Sequence, residues 1–131
     1  MASKSNIILV TGGSGYKGVK LIKALVIKGY KVINLDAKGY FVEKLKKLKP
    51  KIVFNALHGK YGEDGFIQSI LETEKKKYTH SGVLASSIAI DKEVSKKIFK
   101  KNKIVTPKYF LYDFNSSTNL SQKLKKNKIN F

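Results

Sequence analysis

IILVTGGSGYKG, residues 7–18, is the stretch that decides the fold. Four apolar residues, Ile7 to Val10, precede a glycine-rich turn, and apolar residues then recur at helical spacing from Val19 to Val26. A short apolar run of this kind is typical of a buried parallel strand. A second apolar run, Lys31 to Leu35, follows the helix, and Gly29 suits the C-terminal end of that helix. The sequence therefore predicts a βαβ unit with a right-handed crossover.

Strands and helices continue to alternate after residue 36. The pattern predicts a helix over Phe41–Leu48 that is stopped by Pro50, a strand at Ile52–Phe54 and a helix over Phe66–Glu74. It then predicts an extended piece at Tyr78–Thr79 and a helix that starts near Val83 or after Asp91 and ends near Lys101. A last strand at Tyr109–Tyr112 and a marginal amphipathic helix in the polar tail complete the predicted elements. We therefore expect an α/β fold, an open Rossmann-like three-layer sandwich with a mainly parallel sheet. Residues 1–114 are expected to form the domain, and residues 115–131 the polar tail.

Size and composition indicate a soluble, cytoplasmic protein. A chain of 131 residues suits one domain with one core. No apolar run approaches the roughly 20 residues of a membrane helix, so no membrane partner is expected. The polar segment Met1–Asn6 lacks the features of a signal peptide, and the absence of cysteine excludes disulfides and thiolate chemistry.

The charge is strongly positive, with 27 basic residues against 9 acidic ones and a formal net charge of +18. Every basic residue is lysine, whereas arginine is the residue best suited to bidentate recognition of phosphate and guanine. The lysines also recur on periodic solvent-facing positions, as between Lys44 and Lys49. We therefore expect loose, salt-sensitive attraction to polyanions and no specific nucleic-acid site.

The glycine-rich turn offers a nucleotide-binding hypothesis. Gly12, Gly15 and Gly18 lie between a strand and a helix, where glycines let a diphosphate approach the helix N-terminus. Asp36 ends the second strand, close to where an acid would bond a ribose hydroxyl, so NAD is the expected ligand under this hypothesis. The alternative is that these glycines only close a strand–helix turn. Residues 7–36 resemble the start of extended short-chain dehydrogenases, although that family's Tyr-x-x-x-Lys pair has no counterpart in the right place.

A second motif, HGKYGEDG, follows the third predicted strand at residues 58–65. His58 stands at the carboxyl end of that strand, where ligands gather in open α/β sheets. The glycines around it shape a loop whose backbone N–H groups could face a carboxylate. A lone histidine is more often structural than catalytic, and both interpretations of His58 stay open on the residues alone.

From about Phe41 to Phe131 the chain resembles the N-terminal, pre-ATP-grasp domain of D-alanine–D-alanine ligases. The resemblance rests on the HGxxGEDG loop, the Thr-x-Ser-Gly turn at residues 79–82, the Asp91-Lys92 helix start and Thr106-Pro107. It implies that His58 lies near the first D-alanine and that Lys92 holds ATP phosphates, with ATP and Mg²⁺ as cofactors of the full-length family. Glu63 and Ser86 match family positions and are expected to be structural, with Glu63 and Asp64 capping the next helix and bonding the loop. His80 is assigned no role, and a homodimer is implied by the family.

Two features depart from that family. The ligases carry a glutamate in the first glycine-rich loop that assists the substrate's ammonium group, whereas Tyr16 or Lys17 stands there in this chain. A lysine would repel an ammonium, by on the order of 4 kcal/mol at about 4 Å and a surface-like dielectric. The sequence also stops where the ATP-grasp strands, the second ATP lysine and the magnesium carboxylates would begin.

These departures lead to the following expectations. We expect no catalytic residue and no metal site, which leaves open whether the chain is an enzyme. The favoured hypothesis is a substrate-binding N-terminal ligase domain or fragment, inactive alone, from peptidoglycan precursor synthesis. It is joined near residues 36–40 to a dehydrogenase-like start, as a chimera. The alternatives are a non-catalytic NAD- or nucleotide-binding module and a structural domain that binds nothing tightly.

Overall fold

A computed structural model describes residues 7–37, 39–115 and 119–127. The chain divides into two compact units, Met1–Ile90 and Asp91–Phe131. The first unit contains β1 (Ile7–Thr11), α1 (Tyr16–Ile27), β2 (Lys31–Asn34), α2 (Phe41–Leu48), β3 (Ile52–Asn55), α3 (Phe66–Thr73) and α4 (Val83–Ile90). The second contains α5 (Lys92–Lys101) and α6 (Leu120–Lys126). No helix in the described part of the chain is long and apolar enough to cross a bilayer.

The sheet is parallel, with strand order β2-β1-β3. The strand β1, whose first four residues are apolar, is therefore central, which agrees with the buried parallel strand that its sequence predicts. Leu9 pairs with Ile33 on one side and with Val53 on the other, so these three side chains share a face of the sheet. Tyr78 forms an isolated parallel bridge with Val53, whose N–H donates to the carbonyl of Lys77 at 2.9 Å. The predicted extended piece thus covers the outer edge of β3.

The core lies on the face of the sheet that carries Leu9. It is built from the side chains of β1 and β3 together with α2 and α3, and its members are Leu9, Leu35, Phe41, Leu45, Val53, Ile67 and Leu71. Leu45 of α2 and Ile67 and Leu71 of α3 are fully buried. Truncating any of these three to alanine should cost about 2–5 kcal/mol of folding free energy, because the site can collapse only in part.

The opposite face of the sheet is covered by α1, which contacts β1 and β2. Val10 and Phe54 are register partners on this face, and Leu21 of α1 lines a cavity with Phe54. Helices therefore lie on both faces, and the predicted three-layer α/β sandwich with a parallel sheet is confirmed.

Helix ends follow the local sequence. The helix α2 has the predicted bounds, and its C-cap is Lys49, whose φ of 44° is left-handed, just before Pro50. Gly29 has a φ of 80° and its N–H donates to the carbonyl of Val26, which ends α1 as expected. The start that the sequence left open resolves into two helices, because Asp91 caps α5 by accepting the N–H groups of Glu93 and Val94.

The predicted last strand, Tyr109–Tyr112, is wrong. Residues 104–113 form neither helix nor strand, and within the described residues no neighbouring strand pairs with them. An aromatic, apolar run forms a strand only where a neighbouring strand forms hydrogen bonds with its backbone N–H and C=O groups. This segment is instead held by Lys96, whose Nζ donates to the carbonyl of Pro107 at 2.8 Å and lies 4.8 Å from the ring centroid of Tyr109.

The polar tail contains the predicted short helix. Asn119 caps α6 by accepting the N–H of Ser121, and Leu124 is half-buried. The rest of the predicted tail, residues 116–118 and 128–131, and the segment Met1–Asn6 lie outside the described residues.

Candidate ligand-binding site

A cavity of about 200 Å³ opens at the carboxyl edge of the sheet in the first unit. It lies where β3 runs into the loop of residues 56–65 and where α1 begins. The lining residues are Lys17, Leu21, Phe54, Asn55, Ala56, Leu57, His58, Glu63 and His80. An apolar floor with a few convergent polar groups is the usual form of a small-molecule site.

A buried polar network fixes the loop that carries His58. Asn55 is 2% exposed, and its Oδ1 accepts from the hydroxyl of Thr11 at 2.7 Å and from the N–H of Leu57 at 3.1 Å. Its Nδ2 donates to the carbonyl of Gly62 at 2.8 Å, and the buried Gln68 donates to the same carbonyl at 3.0 Å. The network ties β1, β3 and α3 to one carbonyl, so the loop has little freedom to move relative to the sheet.

Gly62 allows the loop to close on itself. A Cβ at this position would lie 2.5 Å from the Cβ of Leu57, so only glycine lets the two segments meet. Gly65 has a φ of 95°, and a Cβ there would lie 2.3 Å from the hydroxyl of Ser87. Gly62 and Gly65 therefore shape the loop through close packing.

Glu63 holds His58 at the cavity. Its Oε1 lies 3.3 Å from His58 Nδ1, and its Oε2 accepts the N–H of Gly59 at 2.7 Å. Both carboxylate oxygens are thus engaged within the loop, in line with the structural role expected of this residue. Since Nδ1 faces the carboxylate, Nε2 is the ring nitrogen of His58 that is free of this contact.

Asp64 ties the loop to α3. Its Oδ2 accepts the N–H of Tyr61 at 2.8 Å and its Oδ1 accepts the N–H of Phe66 at 3.1 Å. The hydrogen bond from Tyr61, followed by that from Phe66, holds the pKa of the Asp64 carboxyl below its ordinary value. Asp64 therefore stays ionised at neutral pH and bonds the first turn of α3, as the sequence predicts.

Ser86 is buried within the first unit. Its hydroxyl donates to the carbonyl of Ser81 at 3.2 Å and so closes the turn that precedes α4. This contact accounts for a small polar residue at the position and agrees with the expected structural role.

The glycine-rich turn is closed by the protein's own groups. The N–H of Gly13 donates to Asn34 Oδ1 at 3.0 Å, and Asn34 Nδ2 donates to the hydroxyl of Ser14 at 3.1 Å. A Cβ at Gly12 would lie 2.8 Å from the carbonyl of Ala56, and one at Gly18 would lie 2.5 Å from the carbonyl oxygen of Gly12. These two glycines are needed for packing, which favours the alternative that the motif is a strand–helix turn.

The other residues of the NAD hypothesis are less constrained. Gly15 is the N-cap of α1 with a φ of −76°, and the atom nearest to a Cβ at this position would be the carbonyl oxygen of Gly12 at 3.4 Å. Asp36 is exposed just beyond β2. Because Asn34 occupies the Gly13 N–H, the turn does not offer its full set of donors to a diphosphate.

Lys17 and His80 are two polar cavity residues to which the sequence analysis gave no binding role. Lys17 belongs to the first turn of α1, and His80 follows the piece of chain that pairs with the edge of β3. The carboxyl ends of parallel strands meet at one edge, so the segments after β1, β3 and Tyr78 converge there. Recognising Tyr78–Thr79 as a partner of β3 would have placed both histidines of the chain at one site.

Lys92 lies in the second unit. It is the first residue of α5, directly after the cap Asp91, and its side chain is exposed. Asp91 Oδ1 accepts the N–H groups of Glu93 at 2.9 Å and Val94 at 3.0 Å, so a carboxylate already fills this helix N-terminus. Lys92 alone therefore does not make a phosphate site from the residues of its own unit.

Magnesium finds no ligand set in the described ranges. No three or more histidine, aspartate or glutamate side chains among these residues lie close enough together to hold a metal ion. The two acids of the loop are engaged by His58 and by backbone N–H groups. These residues do not fit a magnesium site, and no chemical step is assigned to the metal here.

The fold and the cavity define an open α/β domain with a small-molecule site at the carboxyl edge of a parallel sheet. Among curated proteins, the chain is 51% identical to the D-alanine–D-alanine ligase of Pelagibacter ubique over 113 residues, which is 86% of the chain and 34% of that protein. It is 44% identical to the ligase of Carboxydothermus hydrogenoformans over 91% of the chain and 36% of that protein. No protein-family model matches the sequence.

Solved structures agree with these relatives. A crystal structure of the D-alanine–D-alanine ligase of Bacillus anthracis complexed with ATP matches 91% of this chain and 44% of its own, with a TM-score of 0.69 and 29% identity. The chain is therefore similar, along most of its length, to the N-terminal part of D-alanine–D-alanine ligases. It spans about a third of the length of the curated relatives that it matches.

The extent of these matches bears on the chimera hypothesis. A ligase match over 91% of the chain has to include most of the segment from the glycine-rich turn to β2. The dehydrogenase-like start therefore lies largely inside a continuous ligase-like sequence, and the chimera is unsupported.

Proposed function

We propose that the chain is the substrate-binding N-terminal part of an ATP-dependent D-alanine–D-alanine ligase. The similarity to the N-terminal third of proteins with that name supports the proposal. The observation that carries it is the cavity itself, because His58 stands there on a loop fixed by Asn55 and Glu63. A rigid loop that presents an imidazole to a small cavity suits an amino acid, and D-alanine is the ligand that the relatives' name indicates.

The roles of individual residues follow from this proposal. We assign His58 to the first substrate through its Nε2, with Glu63 fixing the ring. Lys92 is assigned to an ATP phosphate, and the remaining groups for ATP and magnesium belong to parts of a ligase that these residues do not supply. By itself the chain is expected to release no phosphate in a D-alanine-dependent way.

A hybrid enzyme tests the proposal. The matching N-terminal third of the Pelagibacter ubique ligase is replaced by this chain, and phosphate release from ATP is measured with saturating D-alanine. We expect D-alanine-dependent turnover that falls about a hundredfold in a His58→Ala hybrid, because one positioned polar contact is lost. A Lys23→Gln hybrid, altered at an exposed position of α1, should keep its activity.

The outcomes of the hybrid assay are distinct. A folded hybrid without turnover would contradict the proposal. Turnover that is the same in the His58→Ala hybrid would leave the family assignment standing and remove the role of His58.

NAD binding is the competing hypothesis and is not favoured by the geometry. The Gly13 N–H is already bonded, and Gly12 and Gly18 pack against backbone. A homodimer in the cytoplasm stays a prediction from the family. At a net charge of +18, repulsion between copies should make any dimer strengthen as salt rises, which sedimentation at two ionic strengths would measure.

A further inference from the structure

The connector between α5 and α6, residues 104–113, has few contacts to hold it in place. Within the described chain, no backbone N–H or carbonyl of residues 105–111 forms a hydrogen bond with another backbone group. Val105 is 96% exposed and Leu111 is 59% exposed, so apolar burial contributes little. Residues of α5 and of the connector also line an open cavity of about 550 Å³, which means that the two segments do not pack closely along their length. The position of the connector therefore depends on individual side-chain contacts.

Lys96 of α5 makes two such contacts. Its Nζ donates to the carbonyl of Pro107 at 2.8 Å and lies 4.8 Å from the ring centroid of Tyr109. One ammonium thus holds a backbone group by a charged hydrogen bond and, two residues further on, a ring by a cation–π contact. The two contacts together fix both the place and the direction of the connector relative to α5. The adjacent Lys97 pairs instead with Glu93 of its own helix.

The same helix carries Lys92, four residues before Lys96. Side chains at this spacing lie on one face of a helix. Lys92 is the residue assigned to an ATP phosphate, so its position is that of α5. The chain matches about the N-terminal third of the curated relatives, and in those ligases the polypeptide continues beyond the matched part. Lys96 therefore ties the helix that carries Lys92 to the segment that leads toward the rest of a ligase.

We propose that Lys96 is a positioning residue for ATP: it holds the connector so that Lys92 and the groups supplied by the rest of the ligase bind the same nucleotide. The inference rests on the proposed function, because it concerns how the ATP site of a ligase is assembled. The cavity assigned to the first substrate is lined by residues of the other compact unit. Loss of the Lys96 contacts should therefore weaken ATP binding and leave D-alanine binding unchanged.

The hybrid enzyme, in which this chain replaces the N-terminal third of the Pelagibacter ubique ligase, separates the two effects. Lys96→Met keeps the length of the side chain but removes its donor and its charge. Its KM for ATP should rise about tenfold, the order expected for one lost hydrogen bond from a charged group. The Kd of a nonhydrolysable ATP analogue, measured by calorimetry, should rise by the same factor. The KM for D-alanine should stay at the value of the parent hybrid.

Three further variants show whether the two contacts are the cause. Lys96→Arg should keep the parent KM for ATP, because a guanidinium also donates to a carbonyl and stacks on a ring. Tyr109→Leu should raise the KM for ATP about threefold, the order expected for one lost cation–π contact. The matched control is Lys97→Met, which removes the neighbouring lysine and its ion pair with Glu93 and should leave both KM values unchanged.

The outcomes separate this inference from the proposed function. A parent-like KM for ATP in Lys96→Met would show that the inference is wrong while the ligase function stands. Equal rises in the KM for ATP and for D-alanine, or the same rise in Lys97→Met, would also overturn it, because they indicate a general loss of structure. If circular dichroism shows that Lys96→Met does not fold, the comparison of Tyr109→Leu with Lys97→Met decides in the same way. A folded parent hybrid without turnover contradicts the proposed function, and the inference fails with it.

Discussion

Two glycine-rich loops follow neighbouring strands of the same sheet, and they behave differently. The turn after β1, residues 12–18, uses its glycines for close backbone packing and gives the Gly13 N–H to Asn34. The loop after β3, residues 56–65, also packs tightly at Gly62, yet it presents His58 to a cavity. Glycine spacing looks similar in both. What separates a structural turn from a binding loop is where the backbone donors and the flanking side chains go.

The largest expected effect is the loss of the network beneath the His58 loop. Asn55→Ala leaves the Thr11 hydroxyl and the Leu57 N–H without their acceptor in a buried site, so the free energy of unfolding should fall by about 3 kcal/mol. Asn34→Ala removes the exposed side-chain amide that bonds Gly13 and Ser14 in the glycine turn. The free energy of unfolding should fall by only about 1 kcal/mol. Urea denaturation measures both, and equal losses would contradict the difference between the two loops.

The glycine turn offers a matched pair of its own. A Cβ at Gly18 would meet the backbone of Gly12 and Gly13 at 2.5 Å, whereas at Gly15 the nearest atom is 3.4 Å away. Gly18→Ser should therefore lower the free energy of unfolding by about 2 kcal/mol, because the added side chain overpacks the turn. Gly15→Ser, at the N-cap of α1, should change stability by less than about 0.5 kcal/mol. Similar melting temperatures for the two variants would show that the turn is not packed as described.

A smaller effect is expected at the edge of β3. Tyr78 donates its hydroxyl to Glu72 Oε1 at 2.5 Å, which raises the pKa of Tyr78 to about 12. Because the folded pKa is raised above the ordinary 10.0, the hydrogen bond stabilises the fold below pH 10 and is lost as pH rises through about 12. Tyr78→Phe should cost about 1 kcal/mol at pH 7.

The pH profile is the check on this contact. The difference in unfolding free energy between the parent and Tyr78→Phe should be constant up to pH 10 and shrink above it. The parent and the variant share all the lysines, so their titration cancels in the difference. A difference that persists unchanged at pH 12 would be inconsistent with the raised pKa.

Local sequence patterns were sufficient to predict much of the fold. The bounds of α2 and the central place of β1 follow from apolar periodicity and from Pro50, which act within a few residues. The strand expected at Tyr109–Tyr112 failed because strand formation depends on a partner far away in sequence, and the run alone carries no information about one. The domain boundary expected at residue 114 stays a prediction.

The site was harder to predict than the fold. His58 could be found because it lies in the loop that follows a strand, three residues after the strand ends. His80 was missed because its place depends on the pairing of Tyr78 with Val53, a contact between separate segments. The closure of the glycine turn depends on the Asn34 side chain from the next strand, which glycine spacing does not reveal.

The central claim is that a small carboxylate binds at the β3 loop and that the glycine turn is structural. An NMR titration of the ¹⁵N-labelled chain tests it most directly, with D-alanine and NAD added in separate series. We predict saturable shifts of the amides from Leu57 to Glu63 with D-alanine, and no shifts of the amides from Gly12 to Gly15 with NAD. Saturable NAD shifts at Gly12–Gly15, with the Leu57–Glu63 amides unmoved by D-alanine, would contradict the account.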